Sequence, residues 1–316
     1  MTGAERTIDP PVVVLDGGLA TELEARGHEL SDRLWSARLL LTEPDAIVDV
    51  HRAYFEAGAT VATTASYQAT IPGFEAAGLD RAAALQAIRR SVELARRARA
   101  AHDDASGGVG GQRLIAGSVG PYGAMLADGS EYRGDYDPGP DILREVHAPR
   151  IDALLEAGAD LLALETIPTV REAEVLLRLV ESSGASAWLS YQCRDGATTA
   201  AGEPIADAVA LATDVEGIVA VGINCTAPRF LADLLAAAHA ASDRALIAYP
   251  NGGDRWDAAT RRWVSADVAG SFEPEAVATW TGLGARWLGG CCGTGPADVT
   301  ALRVALGTPP EPVLEP

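Results

Sequence analysis

The sequence of 316 residues contains no lysine, and all 25 of its basic side chains are arginine. Enzymes that form a Schiff base with a carbonyl substrate, or that bind pyridoxal phosphate, need a lysine amine, so both classes are excluded. The sequence also lacks any apolar run near the ~18 residues of a membrane-spanning helix. The N-terminus shows no basic segment followed by an apolar one, so we expect a cytoplasmic protein without a secretory signal.

Positive charge is scarce relative to negative charge. The chain has 44 acidic residues against 25 basic ones, and its formal net charge is −19. Such a charge repels the phosphates of nucleic acids and anionic lipid surfaces, so neither is an expected partner. We expect small-molecule substrates. The charge mildly favours cationic ones, but a simply solvated acidic surface is the commoner reason for such a charge. The sequence indicates no particular oligomeric state.

Cysteine is also scarce, with four residues in the whole chain. Structural disulfides are rare in cytoplasmic proteins. Cys291 and Cys292 are adjacent, so their Cα atoms lie ~3.8 Å apart across a trans peptide bond. A relaxed disulfide spans roughly 4.4 to 6.8 Å between Cα atoms. A disulfide within this pair is therefore disfavoured.

A repeated joint between helix and strand indicates the fold. Glu56-Ala-Gly-Ala-Thr60, Glu156-Ala-Gly-Ala-Asp160 and Gly282-Leu-Gly-Ala-Arg286 each end an amphipathic segment and open a short apolar run. A helix that ends on glycine and leads directly into a buried strand is typical of a parallel sheet with helices packed on it.

The whole pattern predicts eight strand–helix units, which favour a single α/β domain with the closed (β/α)8 fold of a TIM barrel. The domain spans residues 1–316, with an ordered core of about 9–306. A doubly wound sheet is the alternative, but no Gly-x-Gly-x-x-Gly motif follows the first strand. The predicted strands lie at about 12–16, 60–65, 113–118, 160–165, 186–192, 217–224, 245–249 and 285–290. The predicted helices lie at about 44–57, 80–102, 141–157, 169–182, 204–213, 228–241, 273–282 and 296–306.

The residues at the carboxyl ends of these strands are the candidates for chemistry, because TIM-barrel active sites lie at that rim. Long loops after the third and seventh strands, at 119–140 and 251–272, would cover the same face. The strand ends carry two acids, three of the four cysteines and several polar residues: Asp16, Tyr67, Glu165, Cys193, Cys225, Asn251, Cys291 and Cys292.

Cys225, Cys291 and Cys292 together predict a zinc site. Three thiolates match the preferences of Zn²⁺, and three protein ligands with an open fourth position are typical of a catalytic zinc. Strands six and eight lie roughly 10 Å apart, a gap that inward-leaning side chains can close. The alternative is three unrelated buried thiols, but their position on one rim of the barrel disfavours it. Cys193 is interpreted as a small core residue.

Such a site favours alkyl transfer to sulfur over hydrolysis. Three thiolates more than cancel the charge of Zn²⁺, so the ion is a poor Lewis acid for making hydroxide. It can instead bind a substrate thiol as its fourth ligand. A free thiol with a pKa of ~8.5 is only a few per cent thiolate at pH 7, whereas coordination to the metal deprotonates it.

The cysteine motifs resemble those of a known family. Gly-Ile-Asn-Cys225 and Gly-Gly-Cys-Cys292 are similar to the zinc motifs of the homocysteine S-methyltransferases, and the resemblance runs from Asp16 to about Leu302. Asp16-Gly-Gly-Leu-Ala-Thr-Glu-Leu, Thr64–Thr70 and 117–134 resemble the branch that uses S-methylmethionine. The resemblance implies a zinc-dependent enzyme that transfers methyl from S-methylmethionine, or from S-adenosylmethionine, to L-homocysteine and produces methionine.

The resemblance also implies roles for the rim residues. Asp16 and Glu165 would bind the homocysteine ammonium, and the amides of Gly17 and Gly18 its carboxylate. Simpler readings are a loop cap for Asp16 and an arginine partner for Glu165. Tyr67 and Asn251 are weaker substrate-binding candidates.

Three alternative functions stay open: a betaine donor, a selenocysteine acceptor, or a zinc or redox thiol site without catalysis. Metal analysis and donor competition separate them.

Overall fold

The structure is a computed structural model that describes residues 12–30, 34–106, 112–253, 255–257, 262–264 and 272–307. Eight parallel strands form a nearly closed barrel in which each strand pairs with its neighbours in the chain, and the eighth pairs with the first. Leu15 bridges to Val61 between the first and second strands. The predicted TIM barrel is confirmed. The strands are β1 Val13–Val14, β2 Val61–Thr63, β3 Leu114–Val119, β4 Leu161–Ile167, β5 Ala187–Tyr191, β6 Ile218–Asn224, β7 Ala245–Tyr249 and β8 Ala285–Leu288.

Each predicted helix is present, with its ends shifted by a few residues. The helices are α1 Leu19–Ala25, α2 Leu39–Thr42, α3 Pro44–Glu56, α4 Ile71–Ala76, α5 Arg81–Ala105, α6 Tyr122–Leu126, α7 Pro140–Glu156, α8 Val170–Ser183, α9 Ile205–Ala210, α10 Leu231–Ala241, α11 Pro274–Gly282 and α12 Pro296–Ala305. Short 3₁₀ turns cover Trp35–Arg38, Ser130–Tyr132 and Pro228–Phe230. A hairpin pairs Arg255–Asp257 with Arg262–Val264.

Several short elements were not predicted, because four to six residues carry too little periodicity to detect. Helix α4 is an example: the Thr70 hydroxyl accepts a hydrogen bond from Gly73 N at 3.1 Å and so caps its start. Residues 9–11 of the predicted ordered core, and much of the predicted loop 251–272, lie outside the described residues. The single-domain boundary stays a prediction.

Two layers of core hold the barrel together. The larger one packs the outer faces of the strands against the helices, and the smaller one fills the barrel. Trp188 lies at the centre of the inner layer, fully buried, with ring centroids 6.2 Å from Tyr249 and 5.8 Å from Trp287. Side chains of a strand alternate between its two faces. Glu165 therefore follows Leu161 and Ala163 on the inner face of β4 and lies at the rim, above the inner layer of the core.

Among the described residues, no helix combines the length and the apolar character that crossing a bilayer requires.

Candidate active site

Three thiols meet at the rim of the barrel. The sulfur atoms of Cys225, Cys291 and Cys292 all lie within 4.8 Å of one another. Cys225 follows β6 and has a φ of 45°, a left-handed conformation that is uncommon outside glycine. The other two follow β8, so the strand order brings together residues that are far apart in the sequence.

Adjacent cysteines reach one site because the backbone turns sharply after β8. Gly290 N donates to Asp16 O at 2.9 Å, and Cys291 N donates to Pro250 O at 2.8 Å. The Thr294 hydroxyl then donates to Cys291 O at 2.6 Å and closes the turn. A Cβ on Gly290 would lie 2.1 Å from that hydroxyl oxygen, so this position accepts glycine alone.

The thiols share protons in a way that prepares them for a metal. The pKa of Cys292 lies well below its usual value, because hydrogen bonds from Cys225 and Cys291 stabilise its thiolate. The pKa of Cys225 is raised, because it hydrogen-bonds the other two sulfurs and is buried. Three thiols, two of them buried and one partly exposed, fit a soft or borderline divalent ion, and the part of the chain that the structure describes places no histidine in this group.

Asp16 and Glu165 lie in the same pocket as the thiols. Asp16 Oδ2 accepts a hydrogen bond from Thr63 N at 2.7 Å, and Oδ1 accepts one from the Thr63 hydroxyl at 2.8 Å. Glu165 Oε1 accepts a hydrogen bond from the Ser118 hydroxyl. Among the described residues, Glu165 forms no ion pair, although the charge of Arg150 acts to lower its pKa.

Both carboxyls are buried and hard to ionise in the substrate-free pocket. Burial is the main cause that raises the pKa of Asp16 to about 8, and the charge of Glu165 adds to it. Burial likewise raises the pKa of Glu165 to about 8, with a further contribution from the Cys291 sulfur. A cation that enters between them would favour the ionised forms of both acids.

The cleft above the barrel encloses about 660 Å³, with its open mouth included. Its floor and walls contain all three thiols, both acids, Gly17, Gly18 and Tyr67, so most of the predicted site residues share one space. Burial raises the pKa of the Tyr67 hydroxyl well above its usual value. Gly18 N already donates to Thr294 O at 3.0 Å.

Two of the predicted rim residues do not line this cleft. Asn251 Nδ2 donates to Cys225 O at 3.2 Å, and its Oδ1 accepts from Gly253 N at 2.9 Å, so it braces the loop beneath the thiol. Cys193 is buried outside the thiol group, and burial raises its pKa. This placement matches the core role predicted for Cys193.

Comparison with known proteins identifies the family, since the profile described as homocysteine S-methyltransferase matches residues 13–306. This chain belongs to the homocysteine S-methyltransferase family. Homocysteine S-methyltransferase of Escherichia coli strain K12 is 47% identical over 293 residues, which span 92% of this chain and 94% of the relative. Homocysteine S-methyltransferase YbgG of Bacillus subtilis strain 168 is 45% identical over 296 residues, 92% of each chain.

The solved structures agree. The metallated form of the homocysteine methyltransferase MmuM from Escherichia coli matches with a TM-score of 0.85 at 45% identity and covers 94% of this chain and 96% of its own. The family and the enzyme class predicted from the sequence are confirmed. The non-catalytic alternative is therefore wrong.

Sequence reasoning placed Ser118 and Asn224 at the rim but assigned them no role, and it missed Thr63; all three hold the methyltransferase site in shape. Thr63 and Ser118 fix the two acids, and Asn224 Nδ2 donates to the Thr166 hydroxyl at 2.8 Å and lies 3.9 Å from Cys291 Sγ. Each lies on the inner face at a strand end, a position that can be recognised in the sequence. Their partners, however, come from other strands.

A buried acid on α8 holds the segment 122–136, here called the covering segment, in which Tyr132 lines the methyltransferase cleft. Glu172 Oε1 accepts hydrogen bonds from Tyr122 N at 2.6 Å and His147 Nε2 at 2.7 Å, and Oε2 accepts one from the Tyr136 hydroxyl. Both ends of the segment 122–136 are therefore tied to one fully buried carboxylate.

Proposed function

We propose that this enzyme performs zinc-dependent methyl transfer from a sulfonium donor, S-methylmethionine or S-adenosylmethionine, to the thiol of L-homocysteine. One observation carries the proposal: three sulfur atoms within 4.8 Å of one another lie in the same cleft as two buried carboxyls. The sulfurs suit a thiol-binding metal, and the carboxyls suit the ammonium of an amino acid.

Cys225, Cys291 and Cys292 would hold the ion. Zinc would supply an acidic fourth position at which an incoming thiol binds as thiolate at neutral pH. The chain supplies the rest: Cys225 and Cys292 are buried, Cys291 is partly exposed, and the turn after β8 fixes the spacing of the adjacent pair.

Asp16 and Glu165 would bind the ammonium of homocysteine between them. Arrival of that cation offsets the burial that raises both pKa values, so the acids ionise as the substrate enters. We assign the carboxylate of homocysteine to the amide of Gly17, because Gly18 N donates to Thr294 O. Gly18 instead lets its backbone lie close to the backbone of Cys291, since a Cβ at Gly18 would lie 2.6 Å from Cys291 O.

The transfer itself needs no further base in this proposal. The homocysteine sulfur forms a bond to the donor methyl carbon, the bond from that carbon to the sulfonium sulfur breaks, and its electron pair neutralises the sulfonium. S-Methylmethionine would thus yield two molecules of methionine. Tyr67 and Tyr132 line the cleft and give the cationic donor aromatic walls.

The test is Cys225→Ala, with Cys193→Ala as the matched control because Cys193 is buried outside the thiol group. We expect the wild type and the control to hold about one zinc per chain, and the Cys225 variant to lose both zinc and turnover, since three ligands are the minimum for such a site. Metal analysis and methionine formation are the measurements. Full turnover by the metal-free Cys225 variant would refute the proposal.

The donor and acceptor are tested in the same assay. S-Methylmethionine, S-adenosylmethionine and betaine compete as donors, and homocysteine and selenocysteine compete as acceptors. The proposal expects the sulfonium donors to exceed betaine, because a thioether is a much weaker base than the tertiary amine that betaine releases and is therefore the better leaving group. A preference for betaine would contradict the proposed sulfonium donor. A preference for selenocysteine would contradict homocysteine as the proposed acceptor.

A further inference from the structure

Thr166, near the end of β4, is held in a conformation that its side chain disfavours. Its φ is 61°, in the left-handed region. A β-branched residue is a genuine outlier there, because the branched carbon crowds the backbone. Strain of this kind persists only where the surrounding contacts impose it, and it is concentrated at functional sites.

The strained residue is part of a β-bulge that contains Glu165. The register between β4 and β5 shifts between Leu164 and Ile167, so Glu165 and Thr166 together oppose a single residue of β5. Consecutive side chains of a regular strand point to opposite faces, and a bulge re-aims them. Glu165 and Thr166 both line the cleft, although they are adjacent in the chain. The geometry of the bulge therefore fixes where the Glu165 carboxyl lies.

Asn224, the last residue of β6, holds Thr166 from the strand beyond β5. Its Oδ1 accepts a hydrogen bond from Thr166 N at 2.7 Å, and its Nδ2 donates to the Thr166 hydroxyl at 2.8 Å. A backbone N–H can only donate, so the first bond fixes which end of the amide is oxygen. Nδ2 also lies 3.9 Å from Cys291 Sγ. Asn224 is fully buried and does not line the cleft.

We propose that Asn224 is a positioning residue for homocysteine. Its amide imposes the left-handed conformation of Thr166, and the resulting bulge aims the Glu165 carboxyl at the ammonium of the substrate. The inference rests on the proposed function, because it assumes that Glu165 binds that ammonium. Since Asn224 lies outside the cleft, it acts on the substrate through Glu165.

The test measures the binding of two thiols to the zinc-loaded protein by calorimetry, without a methyl donor. Homocysteine carries the ammonium that Glu165 would bind, whereas γ-mercaptobutyrate has the same thiol and carboxylate but no ammonium. We expect Asn224→Ala to weaken homocysteine binding about tenfold, the order of one hydrogen bond to a charged group, and to leave γ-mercaptobutyrate binding within about twofold of the wild type. A general loss of packing would weaken both thiols alike.

A matched pair of variants at position 166 tests the conformation itself. Thr166→Gly and Thr166→Val both remove the hydroxyl that Asn224 bonds. Glycine adopts a positive φ without strain, whereas valine is as branched as threonine. We therefore expect Thr166→Val to weaken homocysteine selectively and Thr166→Gly to bind it like the wild type. Adding Asn224→Ala to Thr166→Gly should cost homocysteine affinity no more than about twofold, because glycine does not need the amide to hold it.

Unchanged homocysteine affinity in Asn224→Ala, or equal losses for the two thiols, overturns the inference. Equal homocysteine affinities for the glycine and valine variants also overturn it. Circular dichroism establishes that each variant is folded, and the pair at position 166 decides the question if Asn224→Ala is not. A wild type that binds no zinc, or that binds the two thiols equally well, would instead refute the proposed function, so the two failures are distinct.

Discussion

At the scale of single residues, burial of ionisable groups is the dominant feature of this molecule. Asp16 and Glu165 are buried at the substrate cleft, where a cation can compensate them. His51 is buried on α3 and does not line the cleft. Neither of its ring nitrogens has a hydrogen-bond partner among the described residues. The two cases predict opposite behaviour. A bound cation offsets the burial of the two acids, whereas the buried histidine destabilises the folded protein at acidic pH.

His51 makes the fold sensitive to acid. Burial lowers its pKa from 6.5 to about 4, so the unfolded chain binds a proton more readily between these values. Stability is therefore unaffected above pH 6.5 and falls as the pH drops from 6.5 towards 4, by about 2 kcal/mol at pH 5. We expect His51→Leu to lose this part of the dependence when urea unfolding is compared at pH 5 and pH 7.5.

The exposed residue His239 provides the control for this measurement. His239→Leu should keep the wild-type difference between the two pH values. The carboxyl groups titrate alike in all three proteins, so their contribution cancels in the comparison. Parallel pH dependences for the wild type and His51→Leu would contradict the assignment.

At the scale of elements, the sequence predicts strands and helices well and their ends poorly. Strand β2 illustrates the reason: 60–65 was expected, but the strand stops at Thr63. Thr64 and Ser66 share a hydrogen bond of 2.7 Å between their hydroxyls, and Ser66 Oγ donates to Ser118 O at 2.7 Å. These bonds turn the chain out of the barrel, and they depend on a neighbouring strand that local sequence does not reveal.

The cysteine site was predictable for a different reason. In a barrel, strand order alone carries Cys225 and the pair at 291–292 to one rim, so counting strands was sufficient. The partners of the acids were not predictable, because which hydroxyl reaches which carboxylate depends on register between strands. Thr63 and Ser118 became visible only in the folded chain.

The covering segment 122–136 depends on one acid of α8. Glu172→Gln replaces an oxygen that accepts hydrogen bonds by a donor, which leaves a buried N–H or hydroxyl unpaired. We expect a loss of roughly 2 to 3 kcal/mol in the free energy of unfolding. We also expect a higher KM for the methyl donor, with homocysteine binding nearly unchanged, because the segment lies on the donor side in our proposal.

Glu174→Gln is the control on the same helix, since Glu174 is partly exposed and lies 4.0 Å from Arg178. Chemical unfolding, donor KM and calorimetric homocysteine binding are measured on both variants. Equal losses in the two variants, or a homocysteine affinity that falls as far as that for the donor, would argue against a specific role for Glu172.

At the scale of the whole molecule, the protein carries a net charge of −19, and in the proposed function its cleft receives a cationic donor. S-Methylmethionine carries a net positive charge, because its sulfonium and ammonium outweigh its carboxylate. Attraction by the protein raises its local concentration, and salt screens this attraction over about 8 to 10 Å. We expect kcat/KM for S-methylmethionine to fall several-fold between about 20 mM and about 300 mM salt.

Homocysteine is the internal control for this prediction, because its zwitterion has no net charge at neutral pH. Its kcat/KM, measured at saturating donor, should change little over the same salt range. A salt dependence of equal size for both substrates would point to a general effect on the protein rather than attraction of the donor.

The three sulfur ligands come from β6 and from the turn after β8, the last strand of the barrel. During synthesis, Cys225 is therefore added to the growing chain well before Cys291 and Cys292. No nascent intermediate that lacks the eighth strand can present all three to an ion. In the proposed function, metal binding would therefore follow synthesis of the whole barrel, and it would compete with oxidation of the thiols from that point.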